Sequence, residues 1–218
     1  MKLLRPLLSV ALAVAVLLPA AAQAATPMQG VPTPIRRGFF TETDFGAFFT
    51  LGGQGKSPSD AQMYFHLGAG YDLYAEGDHF VAVAAGVGMG TSAGSCYGDI
   101  YDQTSQTPCR DSGVDPSTNE PWQLSNNWTA TMLEASALYG YQVLPRLMLT
   151  GRLLGGVSFI EPRAFTVESP VPTIGAGVGA EWATQFDHFS LGLDIAGRMF
   201  LGTEAIGLSI APRVKYTF

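Results

Sequence analysis

The chain has 218 residues, 18 acidic and 12 basic, for a net charge of −6. That balance speaks against a nucleic-acid partner, which needs a basic surface. Only 14% of residues are charged while 47% are hydrophobic, and 26 glycines and 13 phenylalanines complete an unusual profile.

In chain order, Lys2 and Arg5 precede the apolar run "LLSVALAVAVLL", and "PAAAQA" then supplies small residues. A basic start, a short apolar run and a small-residue cut point predict a signal peptide over 1–24. The run is too short, and Pro19 follows too soon, for a spanning helix. Cleavage after Ala24 removes two bases and leaves a mature net charge near −8. The next stretch, "ATPMQGVPTPIRR", reads as a Pro-rich periplasmic lead over 25–36. No later apolar run approaches the ~18 residues of a spanning helix. An exported, apolar chain of this kind is either a soluble all-β protein or a β-barrel in an outer membrane.

From residue 37 onward, apolar and polar residues alternate with a period of two, the mark of strands with two different faces. "RRGFFTETDFGAFFTLG", "QMYFHLGAGYDLYA" and "FVAVAAGVGMGT" give the first three strands, and similar runs cover about 127–142, 146–160, 173–186, 189–201 and 205–218. Eight strands are therefore expected, with short connections "AEGDH", "VLPR" and "FDH" after the even-numbered ones. Longer connections follow strands one, three and five, the longest being 92–126, and "GTE" after strand seven breaks the rule. Even strand number and alternating short and long connections predict an eight-stranded antiparallel up-and-down transmembrane β-barrel over 37–218, with both ends in the periplasm.

The charges decide which face looks where. Glu42, Asp44, Asp72, Glu134, Arg152, Glu181, Asp194, Arg198, Arg213 and Lys215 all share the parity of the glycines, opposite the large apolar residues. A water-soluble barrel would need the reverse, so the apolar face is assigned to lipid and the charges to the lumen. Isolated buried charge is very costly, so these groups are expected to pair. Such a network fits either a polar filling of a closed barrel or a gated ion path, and eight strands leave so little room that filling is favoured. The glycine rows at 86–90 and 175–179 are expected to make room for inward Tyr64, Tyr74 and the arginines. Outward Phe39, Tyr71, Tyr139, Tyr141, Trp182, Phe186 and Phe189, joined by Tyr216 and Phe218, gather near the short turns and predict a periplasmic aromatic girdle.

Several motifs point to other chemistry and fall short. "GAGVGA" (175–180) has the glycine spacing of a dinucleotide loop, but no helix can follow it. Cys96 and Cys109 are expected to form a disulfide in an exported chain. Asp99, Asp102, Asp111 and Asp115 lack the spacing of a calcium loop. Of three histidines, His79 and His188 fall at the short turns and His66 points inward, so none is placed as a base for acyl transfer at the outer leaflet. No enzyme activity, cofactor or metal is expected.

The ending "IAPRVKYTF" resembles the C-terminal assembly signal of small Gram-negative outer-membrane barrels of the OmpA/OmpX-like class, with Ile210, Val214, Tyr216 and Phe218 in the pattern. The resemblance implies recognition by the barrel-assembly machinery, an outer-membrane location and lipid contact. Pro212 departs from the pattern and predicts a bulge or a gap at the seam, because it lacks a ladder donor. There Arg213 and Lys215 are expected to face Glu42 and Asp44. A narrower resemblance, carried by "IRRGFFTETDFGAFFTLGG" (35–53), is to the CglE family of myxobacterial adventurous gliding motility proteins. It implies a non-catalytic component of a surface machinery that works through other envelope or motility proteins.

Overall fold

The computed structural model describes residues 35–52, 61–93, 109–125, 127–186, 188–203 and 205–218. The expected signal peptide, the lead up to Pro34, and the pairing of Cys96 with Cys109 lie outside the described residues.

Among the described residues ten strands form, in the order β1 (Phe39–Gly52), β2 (Gln62–Glu76), β3 (His79–Ser92), β4 (Cys109–Val114), β5 (Pro121–Leu124), β6 (Trp128–Leu144), β7 (Leu147–Glu161), β8 (Val171–Ala183), β9 (Phe189–Phe200) and β10 (Ala205–Thr217). Eight of them close a barrel in the ring order β1-β10-β9-β8-β7-β6-β3-β2, every pair antiparallel. Among the described residues there is no helix. The eight-stranded up-and-down expectation holds. β4 and β5 are an addition, a two-stranded hairpin inside the long connection, and β8 begins and ends earlier than the period of two suggested.

Alternation maps directly onto the wall. On β10, Ala205, Ser209, Ala211, Arg213, Lys215 and Thr217 are buried, while Ile206, Pro212 and Val214, and Phe218 just past the strand, are exposed. Leu67, Leu149, Leu153, Val178 and Leu191 likewise stand half or more exposed on the outer face. So broad an apolar surface is stable only against another apolar medium, which hydrocarbon supplies. Strands of 12 to 17 residues, tilted, are long enough to cross the ~25 Å apolar band.

Three local features depart from simple alternation. Between Asp72 and Tyr74 the β2–β3 register shifts by one residue, so Leu73 and Tyr74 are both exposed. The expectation of an inward Tyr74 is therefore overturned: the bulge returns it to the outside, where its hydroxyl donates to Glu76 at 2.5 Å. At the turn between β2 and β3, Gly77 takes a φ of 58°, which a side-chain-bearing residue adopts with strain. At the seam, the β1–β10 ladder runs to Asp44↔Arg213 and resumes in the same register at Ala47↔Ile210. Pro212 thus produces a gap and no bulge, while its pairing with Leu193 on β9 stays in register. Opposite the gap, a Cβ at Gly46 would overlap the Ile210 carbonyl and lie 2.6 Å from Ala211 Cα.

Candidate functional site: the charged lumen and its two ends

The lumen is layered. Nearest the short turns, Phe40, Phe80, Ala82, Ala84, Leu138, Met148 and Ala183 form an apolar layer, with Ile35 packed against it. Arg37 closes this mouth: its guanidinium lies 3.9 Å from the Phe80 ring centre, and Nη2 donates to Met148 Sδ at 2.9 Å. Burial lowers the Arg37 pKa from its ordinary value, while Asp72 and then Glu181 oppose the shift. The neighbouring Gly38 N–H donates to Asp72 Oδ2 at 3.1 Å.

The middle layer is ionic. Arg152 on β7 donates through both terminal nitrogens to the two carboxylate oxygens of Glu42 on β1, each at 2.9 Å. β1 and β7 are four strands apart either way round the ring, so this bidentate pair spans the full width of the lumen. Arg213 donates to Asp44 at 2.6 and 3.1 Å and reaches Asp194 at 3.2 Å and Glu42 at 3.5 Å. Arg198 grips both oxygens of Glu134 at 2.6 and 2.9 Å, with Tyr64 and Ser209 completing its set. Lys215 is the register partner of Glu42 but turns to Glu181 at 3.6 Å and sits 4.2 Å from the Phe40 ring centre. The structure therefore joins Arg213, but not Lys215, to the acids of the first strand.

Nearest the long connections, Phe48, Tyr64, Trp128, Met132, Ile160, Phe165, Val171 and Phe200 form a second apolar layer. Trp128 meets Phe165 and Phe200 edge-on, with ring centres 5.4 and 5.8 Å apart. Phe165 belongs to the β7–β8 connection, which folds into the mouth and buries Ala164 and Phe165 almost completely. The hairpin is fastened to that connection: Arg163 Nη1 donates to Asp115 Oδ2 at 3.0 Å, and the Arg163 carbonyl accepts from Ser125 N at 2.8 Å. The Asp115 carboxyl is held below its ordinary range by the hydroxyl and backbone N–H of Ser117, and further by Arg163.

Many of the glycines stand against other neighbours than the tyrosines and arginines expected. Gly90 and Gly207 lie against the Phe48 ring, Gly70 against Phe40 and Gly140 against Phe80, while Gly86 and Gly88 face His66. Gly175 does make room for an arginine side chain, with Arg198 Cγ 3.3 Å from where a Cβ would stand, and Gly192 stands 3.6 Å from Arg213 Cβ by the same measure. Glu42, Asp44 and His66 bring ligand-type atoms within 4.8 Å of one another. Both carboxylates are already held by guanidinium groups, so arginines supply the positive charge there. His66 Nδ1 lies 3.2 Å from Asp44 Oδ2. Parity alone put His66 inside but gave it no partner; the pairing of Asp44 with His66 across β1 and β2 was the available signal.

On the outer surface Phe39, Tyr71, Tyr139, Tyr141, Trp182, Phe186, Phe189 and Phe218 are all exposed at the short-turn end. Phe39 lies 5.2 Å from Phe218, Tyr216 4.9 Å from Phe218, and Phe218 N donates to the Phe39 carbonyl at 2.9 Å. Among the predicted assembly-signal residues, Ile210, Val214, Tyr216 and Phe218 stand on the outer face of β10 or just past it.

A closed eight-stranded antiparallel wall, apolar outside and ionic inside, defines an outer-membrane β-barrel fold. The chain is similar in fold to neisserial surface protein A (NspA), with a TM-score of 0.50 and 13% identity over 83% of this chain and 97% of that one. It is also similar to Ail, the attachment invasion locus protein of Yersinia pestis, with a TM-score of 0.46 and 10% identity over 83% of this chain and 100% of that one. A de novo designed transmembrane β-barrel matches with a TM-score of 0.39 and 12% identity, over 83% and 97% of the two chains. No protein-family model matches the sequence, and no curated protein matches it. At these identities the likeness is one of fold, and membership of the CglE family is not supported.

Proposed function

We propose that this chain is a non-catalytic integral outer-membrane barrel that serves as a structural and interaction component of a surface machinery, such as one for gliding motility. The observation that carries this reading is the filled lumen. Two apolar layers, centred on Phe40 and Phe80 at one end and on Phe48, Trp128 and Phe200 at the other, close the barrel around a paired ionic layer. A lumen filled in this way supports a role played through the ends of the barrel and the lead, and speaks against transit. The outer apolar belt and aromatic girdle support anchoring in outer-membrane lipid, with the short turns on the periplasmic side. The alternating ending supports recognition by the barrel-assembly machinery, and the lead supports contact with other envelope proteins.

Two measurements test this. Outer-membrane extracts are run on gels with and without boiling; a heat-dependent mobility shift is expected, and its absence would sink the barrel reading. Planar-bilayer recordings are expected to show no stable conductance. A steady conductance that Arg152→Ala alters would replace the closed-barrel reading with a small channel through the charged lumen. Altered lipid A in cells expressing the chain would replace it with a lipid-modifying enzyme.

A further inference from the structure

Resting on the reading of this barrel as an interaction component, we propose that its long-connection end docks a basic protein segment and seats one lysine or arginine side chain in a preformed pocket. The pocket lies under the β7–β8 connection and has a volume of about 260 Å³. Ile160, Phe165, Val167 and Val171 give it an apolar floor, and Arg163, Glu168 and Ser169 give it a polar rim.

The pocket is held open by contacts that do not involve an occupant. Phe165 is anchored among Trp128 and Phe200, and Ile160 N donates to Ser169 Oγ at 3.0 Å. The rim cation is matched internally, since Arg163 pairs with Asp115 at 3.0 Å. Glu168, 3.9 Å from Arg163, keeps its side chain 76% exposed and adds the surplus negative charge. Long basic side chains bury an aliphatic stem along apolar surface while their charged heads stay at a polar edge. An apolar floor under a carboxylate rim matches that shape.

Charge complementarity selects the same partner. Among the described residues of the connections at this end, four acidic residues, Asp115, Glu120, Glu161 and Glu168, stand against one basic residue, Arg163. At the other end the described connections carry one acidic residue, Asp78, against three basic ones, Arg36, Arg37 and Arg146. The excess negative charge therefore sits where the pocket opens. It draws in a basic surface and repels an anionic one.

The test titrates hexalysine into the full chain in nanodiscs of zwitterionic lipid at low salt. Binding is expected, with affinity lowered about fivefold by Glu168→Gln, the scale of one partly exposed ion pair. Val167→Trp, which fills the pocket, is expected to weaken it at least as much. Glu120→Gln, which removes a hairpin charge that does not line the pocket, is expected to change it less than about twofold. The proposal is overturned if hexalysine does not bind, if Val167→Trp has no effect, if Glu120→Gln and Glu168→Gln act alike, or if calcium ions alone bind. Each variant is checked for the heat-dependent gel shift. Loss of that shift in the parent chain refutes the barrel; an intact shift without hexalysine binding refutes the docking site alone.

Discussion

Replacing Arg213 with methionine separates a dry lumen from a wet one. The side chain is 5% exposed and touches Asp44 at 2.6 Å, Asp194 at 3.2 Å and Glu42 at 3.5 Å. In bulk water a charge pair at about 3 to 4 Å is worth only about 1 kcal/mol. A solvated lumen would therefore lose roughly that much on Arg213→Met, because water takes over the freed carboxylates. In a lumen sealed by apolar layers, Asp44 and Asp194 keep their burial but lose their strongest cation. Breaking a buried pair from one side costs about 3–5 kcal/mol. The assay is reversible urea unfolding in lipid vesicles, followed by tryptophan fluorescence and gel mobility. Arg213→Met is expected to fall in the higher range, and Asp44→Asn combined with Arg213→Met is expected to recover part of the loss. A loss under about 1 kcal/mol with no coupling would refute the argument and mean that water fills the layer.

Further outcomes follow from the seam, the hairpin and the last residue. Gly46→Ala places a methyl group against the Ile210 carbonyl and Ala211 beside the ladder gap, and is expected to destabilise by about 1–3 kcal/mol in the same unfolding assay. Gly151→Ala and Gly155→Ala, where the added atom meets nothing within 4 Å, should stay within about 0.5 kcal/mol. The folded-state pKa of Asp115 is depressed, so its hold on the hairpin is fully present above the ordinary carboxylate range and is lost as pH falls through the lower folded value. Amide protection factors over β4 and β5, with the intrinsic pH dependence of exchange divided out, should be unchanged between pH 7 and 5 and fall only under strongly acidic conditions; Asp115→Asn should lower them at pH 7. Removing Phe218 should lower the amount reaching the outer membrane in cells, with little change in refolding in detergent. Equal losses in both measurements would assign the residue to stability.

Most of the wall was legible because a period of two leaves few choices. Once Arg213, Lys215 and Glu42 share a parity with the glycines, their side of the sheet is fixed. Tyr74 escaped because one inserted residue at the β2 bulge reverses parity, and no residue type there announces it. The layering escaped for a different reason. Phe40, Phe48, Phe80 and Phe200 are all inner by parity, but their heights along the barrel depend on how neighbouring strands are staggered. That stagger also decided that Lys215 meets Glu181 in preference to Glu42. The folding of Ala164 and Phe165 into the mouth had no periodic signal, since a connection rich in proline and charge reads as an outer loop.

The bidentate contact between Glu42 and Arg152 has a mechanical consequence. A cylinder of eight thin strands resists stretching along its hydrogen bonds but ovalises easily when squeezed from the side. Joining diametrically opposed staves at mid-height turns the ring into a spoked wheel. Arg198 adds two further spokes, from β9 to Glu134 on β6 and to Tyr64 on β2. Lateral pressure from the surrounding bilayer is then carried across the hub, and the outline that the wall presents to neighbouring molecules stays round.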